Sequence, residues 1–217
     1  MRFPVIYLLD GGLTFPLLAA YYHYLRLADE VSPAILVGIS YGTDDWRKGN
    51  RRSRDYTAPS PERDFWGGAE AFDEWLARVV LPLVESTYRA DPARRILFGH
   101  SIAGQFVLFE TLRRPDRFAG LIASNPALHR NVDYFLEEPE GGATPDALPR
   151  LIVVDGSLDD ERFAAPRAKW LQTWSERRER PFELYVLHLE DETHVSIVPA
   201  AFRHGARRLL SPDIAAQ

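Results

Sequence analysis

RILFGHSIAG, residues 95–104, decides the fold. An apolar run ends at Gly99, a serine follows two residues later, and an apolar helical pattern opens at Ala103. A strand that turns sharply into a helix, with serine in the turn, gives the pattern Gly-x-Ser-x-Gly its mechanical meaning. The turn strains the serine backbone and lifts its hydroxyl above the sheet. Small residues are needed on either side, because strand and helix approach closely there. The chain reads Gly-His-Ser-Ile-Ala, with Ala103 where glycine is usual and Gly104 just beyond. Ser101 is therefore the candidate nucleophile. The plainer alternative is a serine that only caps the helix.

Outward from this turn, short apolar runs closed by turn residues read as buried strands. They are PVIYLL at 4–9, AILVGIS at 34–40, RILFG at 95–99, GLIAS at 120–124, LIVVDG at 151–156 and the more alternating FELYVLHL at 182–189. Helical patterns fill the intervals at 15–28, 69–88, 103–113, 165–178 and 197–210. In the second of these, Phe72, Leu76, Val79, Val80, Leu83 and Val84 are spaced to form one apolar face. Pro82 is expected to kink that helix or split its last turn. Strands alternating with helices imply right-handed crossovers, hence a mostly parallel α/β sheet of about six strands with helices on both faces. Residues 41–66 and 137–149 resist the pattern and read as long loops. No repeat or linker divides the chain, so residues 1–217 are expected to form a single domain.

Composition narrows the function. A chain of 217 residues is long enough to bury a full core without a staple. With no cysteine it cannot use a disulfide, a thiolate zinc site or a cysteine nucleophile. A net charge of −5 argues against general nucleic-acid binding. No apolar run approaches the ~18 residues of a membrane span. The opening MRFPVIYLLDGG reads as a strand and not a signal peptide, and a cytoplasmic location is expected. No metal or cofactor is expected.

A serine hydroxyl is a weak nucleophile until a base, normally histidine, takes its proton. In this fold the partners follow in the order serine, acid, histidine. Of the six histidines, His23 and His100 fail on order, and His129 precedes every plausible acid. His188 lies inside the last strand pattern and His204 inside the last helical one. His194 remains, in the polar loop EDETH at 190–194. The acid should follow the next-to-last strand, in LIVVDGSLDDE at 151–161. Asp155 suits the turn, Asp159 lies far enough past it to reach back, and Asp160 is a close second; either of the latter could cap the next helix. Charge developing on a substrate carbonyl needs backbone N–H donors. Ile102 supplies one, and Gly12 or Gly11 in LLDGGLTF the other.

With these residues in place, the chain resembles the esterase family of α/β-hydrolases that includes enterochelin esterases, S-formylglutathione hydrolase (esterase D) and the mycolyltransferases. The likeness rests on YLLDGG at 7–12, VGISYG at 37–42, SRDYTAP at 53–59, LPLVESTYRADPARRILFGHSIAG at 81–104, SNPAL at 124–128 and ETHVSIVPAAF at 192–202. It implies a serine carboxylic-ester hydrolase that works through an acyl-enzyme, with Ser101, His194 and an acid after the next-to-last strand. By similarity the Ser-Leu-Asp segment favours Asp159, and the Asp-Gly-x position favours Gly12. Members of the family normally carry two further strands before Tyr-Leu-Leu-Asp-Gly, and this chain starts with that strand. The 34–40 strand would then be an exposed sheet edge, suited to homodimer formation. Acyl transfer to an alcohol, or ligand binding on a degenerate hydrolase fold, are the alternative readings.

The loop TDDWRKGNRRSRD, 43–55, sets five basic against three acidic residues. It follows a strand near the oxyanion loop, so it should overhang the carboxyl ends of the strands where ligands bind. Arg54, Trp46 and Trp66 are the expected substrate-binding residues, since arginine and aromatics together suit a planar anionic ester. A siderophore-like ester has that character. No nucleic-acid or membrane partner is expected.

Overall fold

The computed structural model describes residues 1–137 and 147–211. The loop expected at 137–149 lies mostly outside the described residues. Six strands form one sheet: β1 (Phe3–Leu8), β2 (Ile35–Gly38), β3 (Ala90–His100), β4 (Gly120–Ser124), β5 (Arg150–Leu158) and β6 (Glu183–Thr193). Their spatial order is β2-β1-β3-β4-β5-β6, and every neighbouring pair is parallel. Parallel neighbours require crossovers, which the helices supply. These are α1 (Gly11–Leu27), the single-turn α2 (Arg52–Asp55), α3 (Ala69–Trp75), α4 (Leu81–Thr87), α5 (Ile102–Arg113), α6 (Glu161–Glu176) and α7 (Val198–Leu210).

Strand side chains alternate between two cores, as a period of two demands. Val5, Tyr7, Leu97, Leu121, Leu151 and Val153 face one layer, with α3, α4, α5 and α6 packed over them. Ile6, Leu8, Ile96, Phe98, Ile122 and Ile152 face the other, under α1 and α7. Helix α7 shows how sequence drives this packing: Val198, Ala201, Phe202, Gly205, Ala206 and Leu209 recur at helical spacing and are buried. By contrast α5 is buried continuously from Ala103 to Leu112 because it crosses the middle of the sheet.

Three strands run longer than their apolar runs. β3 begins at Ala90, β5 ends at Leu158 and β6 continues to Thr193, where polar residues finish ladders that the apolar core starts. The face expected on 69–88 needs correction. Phe72, Leu76, Val80 and Val84 are buried, but Val79 and Leu83 are exposed. The cause is Pro82. Its ring would clash with the carbonyl four residues earlier in a regular helix, and the chain inserts one wider turn at Leu76–Val80, in which Leu81 N–H donates to Leu76 O. The extra residue rotates Val79 and Leu83 outward and brings Leu81 in. At the opposite margin of the sheet from β6, β2 is an edge strand, only half-buried, with Phe15 and Leu83 exposed beside it.

Candidate active site

The site stands at the carboxyl ends of β1, β3, β5 and β6, where loops leave the sheet. At the elbow, Ser101 has φ 57° and ψ −119°, a conformation an L-residue adopts only when its surroundings impose it. The close approach falls on Gly99, where an added Cβ would collide with the Ala103 carbonyl oxygen. Ala103 itself is fully buried, so its methyl is accommodated where glycine is usual. The strained turn delivers Ser101 Oγ to 2.9 Å from His194 Nε2.

The other ring nitrogen of His194 lies 2.8 Å from Asp159 Oδ1. An ionised carboxylate only accepts, so Nδ1–H donates and Nε2 presents its lone pair to the serine hydroxyl. The Asp159 side chain, fully buried, accepts a second hydrogen bond at Oδ2 from Arg167 Nη1, at 2.7 Å. The neighbouring Asp160 caps α6 instead, its Oδ1 accepting from Arg162 N–H at 3.0 Å. Asp155 pairs with His188, 2.8 Å away across the β5–β6 register, and not with His194. The acid left open between Asp159 and Asp160 by chain order is thus separated by direction: one side chain turns in, the other turns along the helix.

Two further contacts hold His194, one at its ring and one at its backbone. Phe163 stacks on the His194 ring at 4.5 Å and 21°. Asn125, with φ 39° at the end of β4, accepts from Gly156 N–H and reaches back to the His194 carbonyl at 3.4 Å. His100, between Gly99 and Ser101, is held neutral. Burial chiefly, with repulsion from His194 and Arg52, pushes its pKa down to about 3.

The backbone donors follow from helix geometry, since the first N–H groups of a helix have no acceptor within it. Ile102 is the first residue of α5 and Gly12 the second of α1. Gly11 N–H is already spent on Ile39 O at 2.7 Å, which leaves Gly12 as the available glycine. Both amides lie at the positive end of a helix dipole, and Gly12 lines the cavity together with Ser101.

A cavity of about 650 Å³ opens over these groups. Ser101, His194, His100 and Gly12 line its floor, and Leu13, Leu17, Val195, Val198 and Pro199 form an apolar wall. The polar corner holds Asp10, Asn50 and Arg52. Arg52 grips Asp10 with Nε and Nη2, both at 2.8 Å. Burial opposes its charge, but bonding to Asp10 outweighs this and its pKa is raised. Arg54, Trp46 and Trp66 are absent from this lining. Trp46 is 73% exposed beneath the Arg47 guanidinium. Trp66 packs edge-on against His129, and Arg54 pairs with Asp55 beside a second cleft. The reason is local: residues two apart on the α2 turn point in nearly opposite directions, so Arg52 enters the cavity and Arg54 leaves it. Sequence reasoning also missed Arg167. Its signal was a charge on the stripe Arg167, Trp170 and Trp174, the buried face of α6. Among the described residues no group of three or more His, Asp or Glu is placed to hold a metal ion.

Fold and site together define an α/β-hydrolase whose elbow serine, histidine and aspartate form one hydrogen-bonded chain. Comparison with known proteins agrees. The family described as "Putative esterase" matches residues 1–198, and the chain belongs to that family. It is a carboxylic ester hydrolase of the serine type. It is 29% identical over 232 residues to the ferri-bacillibactin esterase BesA of Bacillus subtilis, spanning 97% of this chain and 80% of that protein. A siderophore triacetylfusarinine C esterase of Aspergillus fumigatus is 31% identical over 166 residues, 72% of this chain and 56% of its own. Among solved structures, the BES protein from Bacillus cereus superposes with a TM-score of 0.82 at 25% identity, over 96% of this chain and 83% of that one.

Proposed function

We propose that this esterase hydrolyses siderophore-type carboxylic esters through an acyl-enzyme on Ser101. The observation that carries the mechanism is the unbroken chain from Asp159 Oδ1 through His194 to Ser101 Oγ, with links of 2.8 and 2.9 Å, on the floor of the cavity. His194 Nε2 takes the hydroxyl proton as Ser101 Oγ attacks the ester carbonyl. The oxyanion forms against the N–H groups of Gly12 and Ile102, pre-aimed by their helices. Collapse expels the alcohol, which receives the proton held on His194. Water then repeats the sequence on the acyl-enzyme and frees Ser101. Asp159 keeps the imidazole tautomer and stabilises its cation.

The substrate class is supported by the activities for which the relatives are named and by the cavity's makeup. Its wall suits an aromatic or otherwise apolar acyl group, and its charged corner, Arg52 with Asp10, suits a ligand that bears polar substituents at one end. Because Arg52 is already paired, it offers directed hydrogen bonds more than a free positive charge. A panel running from short-acyl p-nitrophenyl esters to catecholate and hydroxamate siderophore esters, compared by kcat/KM, tests the reading. Siderophore esters should lead the panel. Uniform rates across it, or a preference for plain short-chain esters, contradict the proposed substrate class.

A further inference from the structure

We infer that Arg167 is a positioning residue that aims the triad acid from behind. The inference rests on the serine-esterase reading above. Arg167 is 2% exposed although it carries a permanent charge, a placement that requires compensating partners. Both partners are carboxylates at the end of β5. Nη1 donates to Asp159 Oδ2 at 2.7 Å, and Nε lies 3.5 Å from Asp155 Oδ2. Arg167 itself is absent from the lining of the cavity, so it acts only through Asp159.

The arrangement solves an electrostatic problem. A buried carboxylate with one free oxygen can rotate, and a misaimed oxygen leaves His194 free to adopt the wrong tautomer. A charge-assisted bond to Oδ2 fixes the rotation, so that Oδ1 faces His194 Nδ1. A lone guanidinium would also cancel the negative charge that His194 needs when it takes up a proton. Asp155 supplies the counterweight: one cation between two carboxylates leaves a single net negative charge. Asp155 is held in turn by His188 at 2.8 Å. Two aspartate–histidine pairs therefore lie side by side, Asp155–His188 on β5 and β6 and Asp159–His194 one residue past the ends of the same strands, with Arg167 between the acids.

A double-mutant cycle on a short-acyl p-nitrophenyl ester tests this, with single-turnover rates used for the slow variants. Arg167→Met should lower kcat about tenfold and leave KM within about twofold. In an Asp159→Asn background the same change should cost less than about twofold, because its target is gone. Arg167→Lys, which keeps the cation and can keep one charge-assisted bond to Asp159, should lose less in kcat than Arg167→Met. Equal losses in both backgrounds overturn the inference, as does a raised KM with kcat intact. If the Met variant does not fold, Arg167→Lys still decides: a tenfold loss in both backgrounds overturns it. Failure of the esterase reading would show differently, as activity retained in Ser101→Ala.

Discussion

At the scale of single residues, direction separates groups that composition makes equivalent. Asp159 and Asp160 are identical in type and adjacent, yet one bonds His194 and the other caps α6. Under the proposed mechanism, replacing Ser101 or His194 with alanine should each remove on the order of 10⁴–10⁶ in kcat, since a nucleophile and its base act as a unit. Asp159→Asn should cost less, about 10³–10⁴. Asp160→Ala should instead lower stability by about 1 kcal/mol and leave kcat within a few-fold. Thermal melts and steady-state kinetics on the set check the assignment; a larger kcat loss at Asp160 would exchange the two acids. The order of motifs along the chain singled out Ser101 and His194, which the structure brings within hydrogen-bond distance of each other. It could not show where Arg54, Trp46 and Trp66 point, because a loop's side-chain directions depend on tertiary contacts, and all three lie off the cavity. A second residue-scale prediction concerns Glu110, buried on α5 with no hydrogen-bond partner for either oxygen among the described residues. Burial pushes its pKa up to about 8, against Arg114, which lowers it. Asp73, itself buried, takes closer contacts from Arg114 and Arg117. An acid with a raised folded pKa binds its proton more tightly when folded. Its contribution to stability is therefore lost as pH rises from about 4.5 to about 8. Glu110→Gln should raise Tm at pH 8.5 by more than at pH 5.5. A gain independent of pH would show that Glu110 does not titrate in this range.

At the scale of elements, the strand–turn–helix unit both anchors the fold and sets Ser101 on the floor of the cavity. Its strain is visible in the sequence only through the small residues around it. Gly99→Ala should be severe, because the new methyl meets the Ala103 carbonyl, which α5 cannot move without shifting Ser101. Overpacking of this kind typically costs about 1–3 kcal/mol. Ala103→Gly, which restores the commoner motif, should lower stability by roughly 0.5–1 kcal/mol through helix entropy and leave kcat within twofold. Urea titrations and activity on the two variants check this; tolerance of Gly99→Ala would mean that the close approach does not hold the elbow. Elsewhere, periodicity gave the elements but not their interruptions. The 69–88 pattern carried six apolar positions at helical spacing, and the wider turn before Pro82 turned two of them to solvent. A backbone that adds one residue to a turn changes faces without changing the sequence pattern, which is why Val79 and Leu83 were misplaced. The polar ends of β3 and β6 were missed for a related reason: ladder hydrogen bonds do not require apolar side chains.

At the scale of the whole molecule, the parallel order β2-β1-β3-β4-β5-β6 brings distant segments to one edge of the sheet. Ser101 and His194 lie 93 residues apart and share a hydrogen bond, and Asp159 lies 35 residues from its histidine. Alternation of strands and helices was enough to foresee that architecture, because right-handed crossovers leave few ways to arrange it. The cavity was less legible. Its apolar wall comes from the first two turns of α1 (Leu13 and Leu17) and the first turn of α7 (Val198 and Pro199), which the sequence presents as ordinary helical positions. The most direct measurement is acid quench of the enzyme during turnover of an activated ester, followed by mass spectrometry of its peptides. One acyl group should appear on the peptide carrying Ser101 and disappear in Ser101→Ala together with turnover. Undiminished turnover in Ser101→Ala, or acylation at another residue, would contradict catalysis through Ser101.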